Sequence, residues 1–275
     1  MNAFTRQAGS LMCEQLSLTS LAEQYGTPLY VYSRTAIEQA WLEFHNALDA
    51  RHHLICYAVK ANSNLAVLNT LARLGSGFDI VSLGELKRVL AAGGKPEKIV
   101  FSGVGKNTRE MAGALEAEIR CFNVESSAEL ERLNDVAMAH GVVAPVSLRI
   151  NPDVDAQTHP YISTGLKENK FGINMAEAMR VYRQAAALTG VNVLGIDCHI
   201  GSQLTTLEPY QDALDILLEM VDTLEQEGIT LTHIDVGGGQ GIRYSESETE
   251  LDIRAWANAV ISAVGERKLE IVVEP

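Results

Sequence analysis

The sequence predicts an α/β chain folded as a (β/α)8, TIM-like barrel. Three observations predict it. Short apolar runs alternate with amphipathic stretches roughly every 20–40 residues. About eight such runs are present, and 275 residues is near the ~250 typical of the barrel. Polar and charged residues stand where the apolar runs stop, at the edge where such sheets keep their chemistry.

The elements follow in order. Ser17 to Gln24 predicts a short helix with Leu18, Leu21 and Ala22 on one face, stopped by Gly26 and Pro28. Leu29 to Tyr32 reads as a short strand. Thr35 to Leu48 is helical, with Ile37, Ala40, Trp41, Phe44 and Leu48 at helical spacing. The barrel strands are expected at His53–Lys60, Gly77–Ser82, Ile99–Gly103, Arg120–Glu125, Val146–Asn151, Asn192–Ile200, His233–Gly237 and Glu270–Glu274. Helices are expected between them at Leu65–Leu74, Leu83–Ala92, Thr108–Ala117, Ala128–His140, Ala176–Leu188, Pro209–Glu227 and Asp252–Val264. Gly93-Gly94 and Gly190 sit where helix C-cap glycines belong, and Ser126 and Ser127 precede Glu129 as N-caps. The chain stops at Glu274-Pro275, the tip of the eighth strand, with no eighth helix after it. Two strand flanks would then expose apolar surface, so the expectation is a chain truncated after that strand.

Composition narrows the function classes. A net charge of -13 offers no basic footprint for nucleic acid or anionic membranes. No run approaches the ~18–20 apolar residues of a membrane span, and Met1 to Leu18 has no continuous apolar core of a secretory signal. The four cysteines, Cys13, Cys56, Cys121 and Cys198, have no C-x-x-C or zinc spacing. Three of them read as small core residues, no metal is expected, and the expected compartment is the cytoplasm.

The candidate chemistry lies at the strand ends: Lys60, Asp79, Arg149, His199, the glycines 237–239 and Glu274. Lys60 ends the run Tyr57-Ala58-Val59. A buried lysine amine loses its charge readily and attacks carbonyls, whereas a strand-end lysine otherwise reaches to solvent. Gly237-Gly238-Gly239 lets backbone N–H groups approach a phosphate, although a tight turn needs the same glycines. It is not a dinucleotide fingerprint, because Tyr244 stands where the third glycine belongs. The ring of His199 is fit to cover a flat cofactor or to serve as a rim group, and alternation does not tell which face it takes. Ser202 is placed to donate to a phosphate. Glu274, beside a pyridine nitrogen, would keep it protonated; otherwise it is an ordinary strand-end carboxylate. Lysine, glycine loop and carboxylate together are the parts that hold pyridoxal phosphate.

Several ordered motifs carry a family resemblance: Tyr57-Ala58-Val59-Lys60-Ala61-Asn62, Gly77-Phe78-Asp79 through Leu86, Leu148-Arg149-Ile150-Asn151-Pro152, Lys170-Phe171-Gly172, Cys198-His199-Ile200-Gly201-Ser202-Gln203, Gly237 to Gly241 and Glu274-Pro275. Over about residues 28–275 the chain resembles the pyridoxal phosphate-dependent fold-type III decarboxylases, which have an alanine racemase-like barrel. Thr158 to Gly165 resembles the branch acting on diaminopimelate more than those acting on ornithine or arginine. The resemblance implies decarboxylation of meso-diaminopimelate to L-lysine. It implies that Lys60 binds the cofactor covalently and His199 stacks on its ring. It further implies that Glu274 pairs with the ring nitrogen, that Gly237, Gly238, Gly239 and Ser202 hold the phosphate, and that Asp79 and Arg149 line the other edges. Residues 29–275 would be the barrel domain. Residues 1–28 would pack on a C-terminal β domain that supplies a partner subunit's cysteine in a homodimer; without it they are expected to be disordered. An ornithine- or arginine-type decarboxylase, a non-catalytic cofactor-binding barrel and a racemase-like barrel stay open beside this reading.

Overall fold

The computed structural model describes residues 3–154, 171–245 and 249–275. Eight strands close into a parallel barrel: β4 (His53–Ala58), β5 (Gly77–Ile80), β6 (Ile99–Phe101), β7 (Cys121–Val124), β8 (Ala144–Asn151), β10 (Val191–Asp197), β11 (His233–Asp235) and β12 (Glu270–Val273). β12 pairs with β4 and β10 pairs with β8, so the ring has no free edge. A two-residue strand, β9 (Ile173–Asn174), pairs in parallel with Ile150 and Asn151 at the end of β8.

Alternation along each strand sorts the side chains. Leu54, Cys56, Val100, Cys121 and Val272 form a small cluster within the barrel. Their strand neighbours Ile55, Phe101, Phe122 and Ile271 join the large core between strands and helices. Cys56, Cys121 and Cys198 are free, buried thiols in these cores. The helices are α3 (Leu65–Leu74), α4 (Leu83–Ala91), α5 (Thr108–Glu116), α6 (Ser127–Ala139), α7 (Met175–Ala187), α8 (Glu208–Gln226) and α9 (Ile253–Val264). Each of α3 to α6 starts at a side-chain cap: Asn64, Ser82, Asn107 and Ser126 accept the exposed backbone N–H groups of the first turn. Ser126 is the cap of α6, and Ser127 is its first helical residue.

The eighth helical position is filled from the other end of the chain. α2 (Arg34–Leu48) precedes the first barrel strand, yet packs on both α9 and α3. The Phe44 ring meets Trp256 edge-on at 5.8 Å, and Tyr210 meets the same indole from α8 at 5.9 Å. Each such pair contributes about 0.5–1.5 kcal/mol beyond burial. The expected uncovered flank is therefore covered.

Four other expectations differ. Residues 3–25 are ordered: β1 (Phe4–Gln7), β2 (Ser10–Cys13) and β3 (Leu16–Ser17) form a small antiparallel sheet, followed by α1 (Leu18–Tyr25). These strands escape pattern reading because β1 is exposed throughout and only Cys13 of the three is buried. The sheet is pinned to the barrel by Glu14, whose carboxylate accepts from Ser33 Oγ at 2.6 Å and Thr35 N at 3.0 Å. Leu29 to Tyr32 is irregular, not a strand. Gly190 is no helix cap; its backbone lies so close to Asn134 that a Cβ would sit 2.7 Å from the Asn134 carbonyl. The strand expected to reach Ile200 stops at Asp197.

Candidate active site

The carboxyl ends of the strands surround a cavity of about 340 Å³. Lys60, Arg149, His199, Ser202, Gly238, Gly239 and Glu274 line it, seven of the nine residues expected there. Asp79 lies behind Lys60, with Oδ2 3.1 Å from its Nζ. Gly237 is off the wall; its N–H donates to Asp235 Oδ1 at 2.9 Å. Thr158 to Gly165 and Lys170 lie outside the described residues.

Lys60 does not sit on its strand. β4 ends at Ala58, and a 3-10 turn, Val59–Ala61, carries the lysine over the rim. Its side chain is 57% exposed, so of the two alternatives left open by the sequence it reaches toward solvent. Partial burial disfavours its charge, but Asp79 and Glu274 outweigh it and hold the amine above the ordinary lysine range. Asp79 itself is fully buried. Burial and the Glu274 charge raise its carboxyl to about 7, against the pull of Lys60 and His199.

His199 faces the interior, settling the question that alternation left open. Its Nε2 is 2.8 Å from Glu274 Oε2 and its Nδ1 is 3.1 Å from Asp197 Oδ1. Burial opposes the imidazolium, but Asp197 and Glu274 hold it charged well above the usual range. For Glu274, burial would raise the carboxyl; the His199 charge and hydrogen bond, with Asp235 and Lys60, bring it down to about 2. Its Oε1 accepts from Asn123 Nδ2 at 3.2 Å, whose amide also donates to Ser102. Asp235 is raised well above the usual carboxylate value by burial and by the charges of Glu274 and Asp197.

Arg149 is buried and donates to Glu125 Oε1 at 2.9 Å. The same carboxylate accepts from Gly103 N and Gly172 N, so one glutamate fixes the arginine and two loops. Glu125 is fixed in turn: its backbone N donates to Glu129, which pairs with the buried Lys106. The sequence reading missed Asn123, Glu125, Asp197 and Asp235. For two of them the available signal was position: Asp197 lies two residues before His199 and in register with Arg149, and Asp235 lies two residues before Gly237.

The glycine loop is built by close approach. A Cβ on Gly238 would collide with the Glu274 carbonyl, and one on Gly239, at φ +87°, with the Gly201 carbonyl. The Gly239 carbonyl accepts from Leu204 N at 2.9 Å, and the Tyr210 hydroxyl donates to Gly238 O at 3.0 Å. The two glycines are thus held with the backbone bare at the cavity wall, beside Ser202.

A closed parallel barrel with a rim lysine, a glycine loop bare at the cavity wall and a buried carboxylate–imidazole pair defines the class of α/β barrels that can hold a cofactor at the strand ends. The chain belongs to the pyridoxal-dependent decarboxylases: the family description "Pyridoxal-dependent decarboxylase, pyridoxal binding domain" matches residues 34–275. It is 59% identical over 271 residues to the diaminopimelate decarboxylase of Vibrio cholerae, covering 98% of this chain and 65% of that one. It is 59% identical over 276 residues to that of Pseudomonas fluorescens, covering 100% and 66%. Among solved structures, diaminopimelate decarboxylase from Helicobacter pylori complexed with L-lysine superposes with a TM-score of 0.91 at 44% identity, over 94% of this chain and 65% of that one. The M. jannaschii enzyme in co-complex with L-lysine gives 0.93 at 36% identity, over 100% and 66%. The chain therefore spans about 65% of the length of the relatives it matches. The rim residues fit the family's group. Buried carboxylate oxygens of Asp79 and Asp235 lack a hydrogen-bond partner, as expected of a site that receives a cationic ring.

Proposed function

We propose that this chain is the cofactor-holding part of a decarboxylase that converts meso-diaminopimelate to L-lysine. The observation that carries the reading is the meeting of Lys60, His199, Glu274 and Gly238–Gly239 at one barrel mouth in a chain of this family. Bound there, pyridoxal phosphate supplies an aldehyde for amine capture and a protonated ring that takes up the electron pair left when carbon dioxide departs. Lys60 provides the amine that fixes the aldehyde carbon, and Asp79 holds and orients that amine. Glu274, ionised at neutral pH, keeps a ring nitrogen protonated, with Asn123 aiming it. His199 covers the ring face. Gly238, Gly239 and Ser202 receive the phosphate, and Gly237 orders their loop. Arg149 lines the opposite edge, held by Glu125.

That the relatives are diaminopimelate decarboxylases supports diaminopimelate as substrate over ornithine or arginine. The further assignments follow the family resemblance. Residues 1–28 would dock on a second domain, the full-length protein would be a homodimer, and this 275-residue chain alone would turn over little or nothing. The test is product analysis of the full-length protein with meso-diaminopimelate, ornithine and arginine. L-Lysine from the first substrate alone supports the reading; putrescine or agmatine as main product overturns it. Near-normal turnover by the 275-residue chain would refute the inactivity assigned to it.

A further inference from the structure

His199 is held between two carboxylates, and only one of them belongs to the assigned site. Glu274 reaches Nε2 from the end of β12. Asp197 reaches Nδ1 from the last residue of β10, two residues before the histidine. Asp197 is fully buried, and neither of its carboxylate oxygens has a well-formed hydrogen bond; its close contact is the imidazole at 3.1 Å. A buried carboxylate is costly unless its charge is compensated. Its place in the fold therefore calls for a role.

The charged groups around the ring settle the sign. Asp197 and Glu274 favour the imidazolium, whereas Arg149 opposes it. Asp79 and Asp235 also act on the ring by charge, and Lys60 completes the charged rim beside Asp79 and Glu274. In the reading proposed above, Glu274 serves a ring nitrogen, so its bond to His199 is the one given up. The Asp197 contact lies on the opposite side of the imidazole and is unaffected.

We infer that Asp197 is a positioning residue, which keeps the His199 ring oriented and protonated against the face of the bound cofactor. The inference rests on the proposed role of His199 as the ring's cover. A neutral histidine held only by packing would be free to turn about its χ2 axis; the Asp197 contact fixes both the plane and the Nδ1 proton.

The test separates this inference from the reading on which it rests. In the cofactor-free chain, the imidazole nitrogens of His199 are followed by 15N–1H NMR, assigned with His199→Gln. His199 is expected to be doubly protonated at about pH 8, well above the ordinary value of about 6.5. In Asp197→Asn its midpoint is expected to fall by about 1–3 pH units. Equilibrium dialysis with pyridoxal phosphate is expected to show affinity lowered about tenfold or more, the size of one lost charge-assisted contact. In a His199→Gln background the same substitution is expected to change affinity less than about twofold. Asp197→Asn relieves crowding with Glu274 and Asp235, so it is expected to fold; if it does not, Asp197→Ser is measured in the same way. An unchanged His199 midpoint overturns the inference, and so does an equal loss of affinity in both backgrounds. Failure of the unsubstituted chain to take up pyridoxal phosphate instead refutes the proposed function, while the cofactor-free titration still decides the role of Asp197.

Discussion

Replacing Lys106 by methionine should unfold the rim from beneath. Lys106 leaves the loop after β6, and its side chain is fully buried. Its ammonium donates three hydrogen bonds: to Gly103 O at 2.8 Å, Asn123 O at 2.7 Å and Glu129 Oε1 at 2.8 Å. Every proton on the nitrogen is therefore used. Methionine fills the volume but leaves two carbonyls short of a donor and Glu129 as a buried, uncompensated carboxylate. Breaking a buried pair from one side costs about 3–5 kcal/mol. Glu129 is already raised by burial, with Lys106 pulling it back. Without the lysine its folded-state value rises further above the unfolded ~4.3. A raised carboxyl costs nothing while protonated in both states, and the cost appears as pH climbs from the unfolded to the folded value. The loss should thus be smaller at pH ~5 than at pH ~8. Urea unfolding at both values measures it as a lower midpoint at unchanged slope. Adding Glu129→Gln removes the stranded charge and should return more than half of the loss. The reasoning is refuted if Lys106→Met costs under about 1 kcal/mol at pH ~8, or if the double variant is no more stable than the single one.

Three further outcomes follow from the rim geometry. Lys60→Ala should abolish the visible absorbance band that pyridoxal phosphate develops with the chain, while non-covalent uptake persists at reduced affinity; an undiminished band would exclude Lys60 as the amine. Gly238→Ala should cost about 1–3 kcal/mol in unfolding free energy, because the methyl meets the Glu274 carbonyl, and should lower cofactor affinity at least about tenfold; unchanged melting would mean the loop has room. The cofactor-free chain should lose stability as pH rises from about 4 to about 7, because Asp79 is raised to about 7 when folded and is near 3.9 unfolded. Asp79→Asn should flatten that limb of a melting-temperature profile, and an unaltered slope would assign it to other groups.

The barrel was legible because its strands are buried on both faces and therefore read as apolar runs cut off by chemistry-bearing residues. Lys60, Asp79, Arg149, His199 and Glu274 all stood at such cut-offs. What the reading could not supply were contacts across the ring. Asn123 and Glu274 meet at 3.2 Å although 151 positions apart, and Lys106 meets Glu129 across 23. No local pattern encodes those distances; only the closure of the barrel does. The helix Arg34–Leu48 was read correctly as a helix, yet its service as the eighth one was hidden because it precedes the strand it flanks. The exposure of Lys60 was left open for a similar reason: a 3-10 turn moves it off the strand, and its charge is governed by Asp79 and Glu274.

The charges at the rim explain why these groups coexist. Among the described residues, five buried carboxyls, Asp79, Glu125, Asp197, Asp235 and Glu274, face Lys60, Arg149 and His199. Ionised together they would leave two excess negative charges away from water, which folding tolerates poorly. The protein meets the excess by favouring the protonated forms of Asp235 and Asp79, both raised by burial and by Glu274. Each retained proton is a place where an incoming cation would be welcome, and both lie beside Glu274. On the proposed reading, a group carrying a protonated ring nitrogen would supply that charge beside Glu274, and its phosphate would fall to backbone N–H groups that carry no formal charge of their own. Uptake of the cofactor at neutral pH should therefore release protons from the rim. Parallel calorimetric titrations in buffers of different ionisation enthalpy would detect them, and an identical binding enthalpy in all buffers would show that the rim is not tuned by its excess of acid.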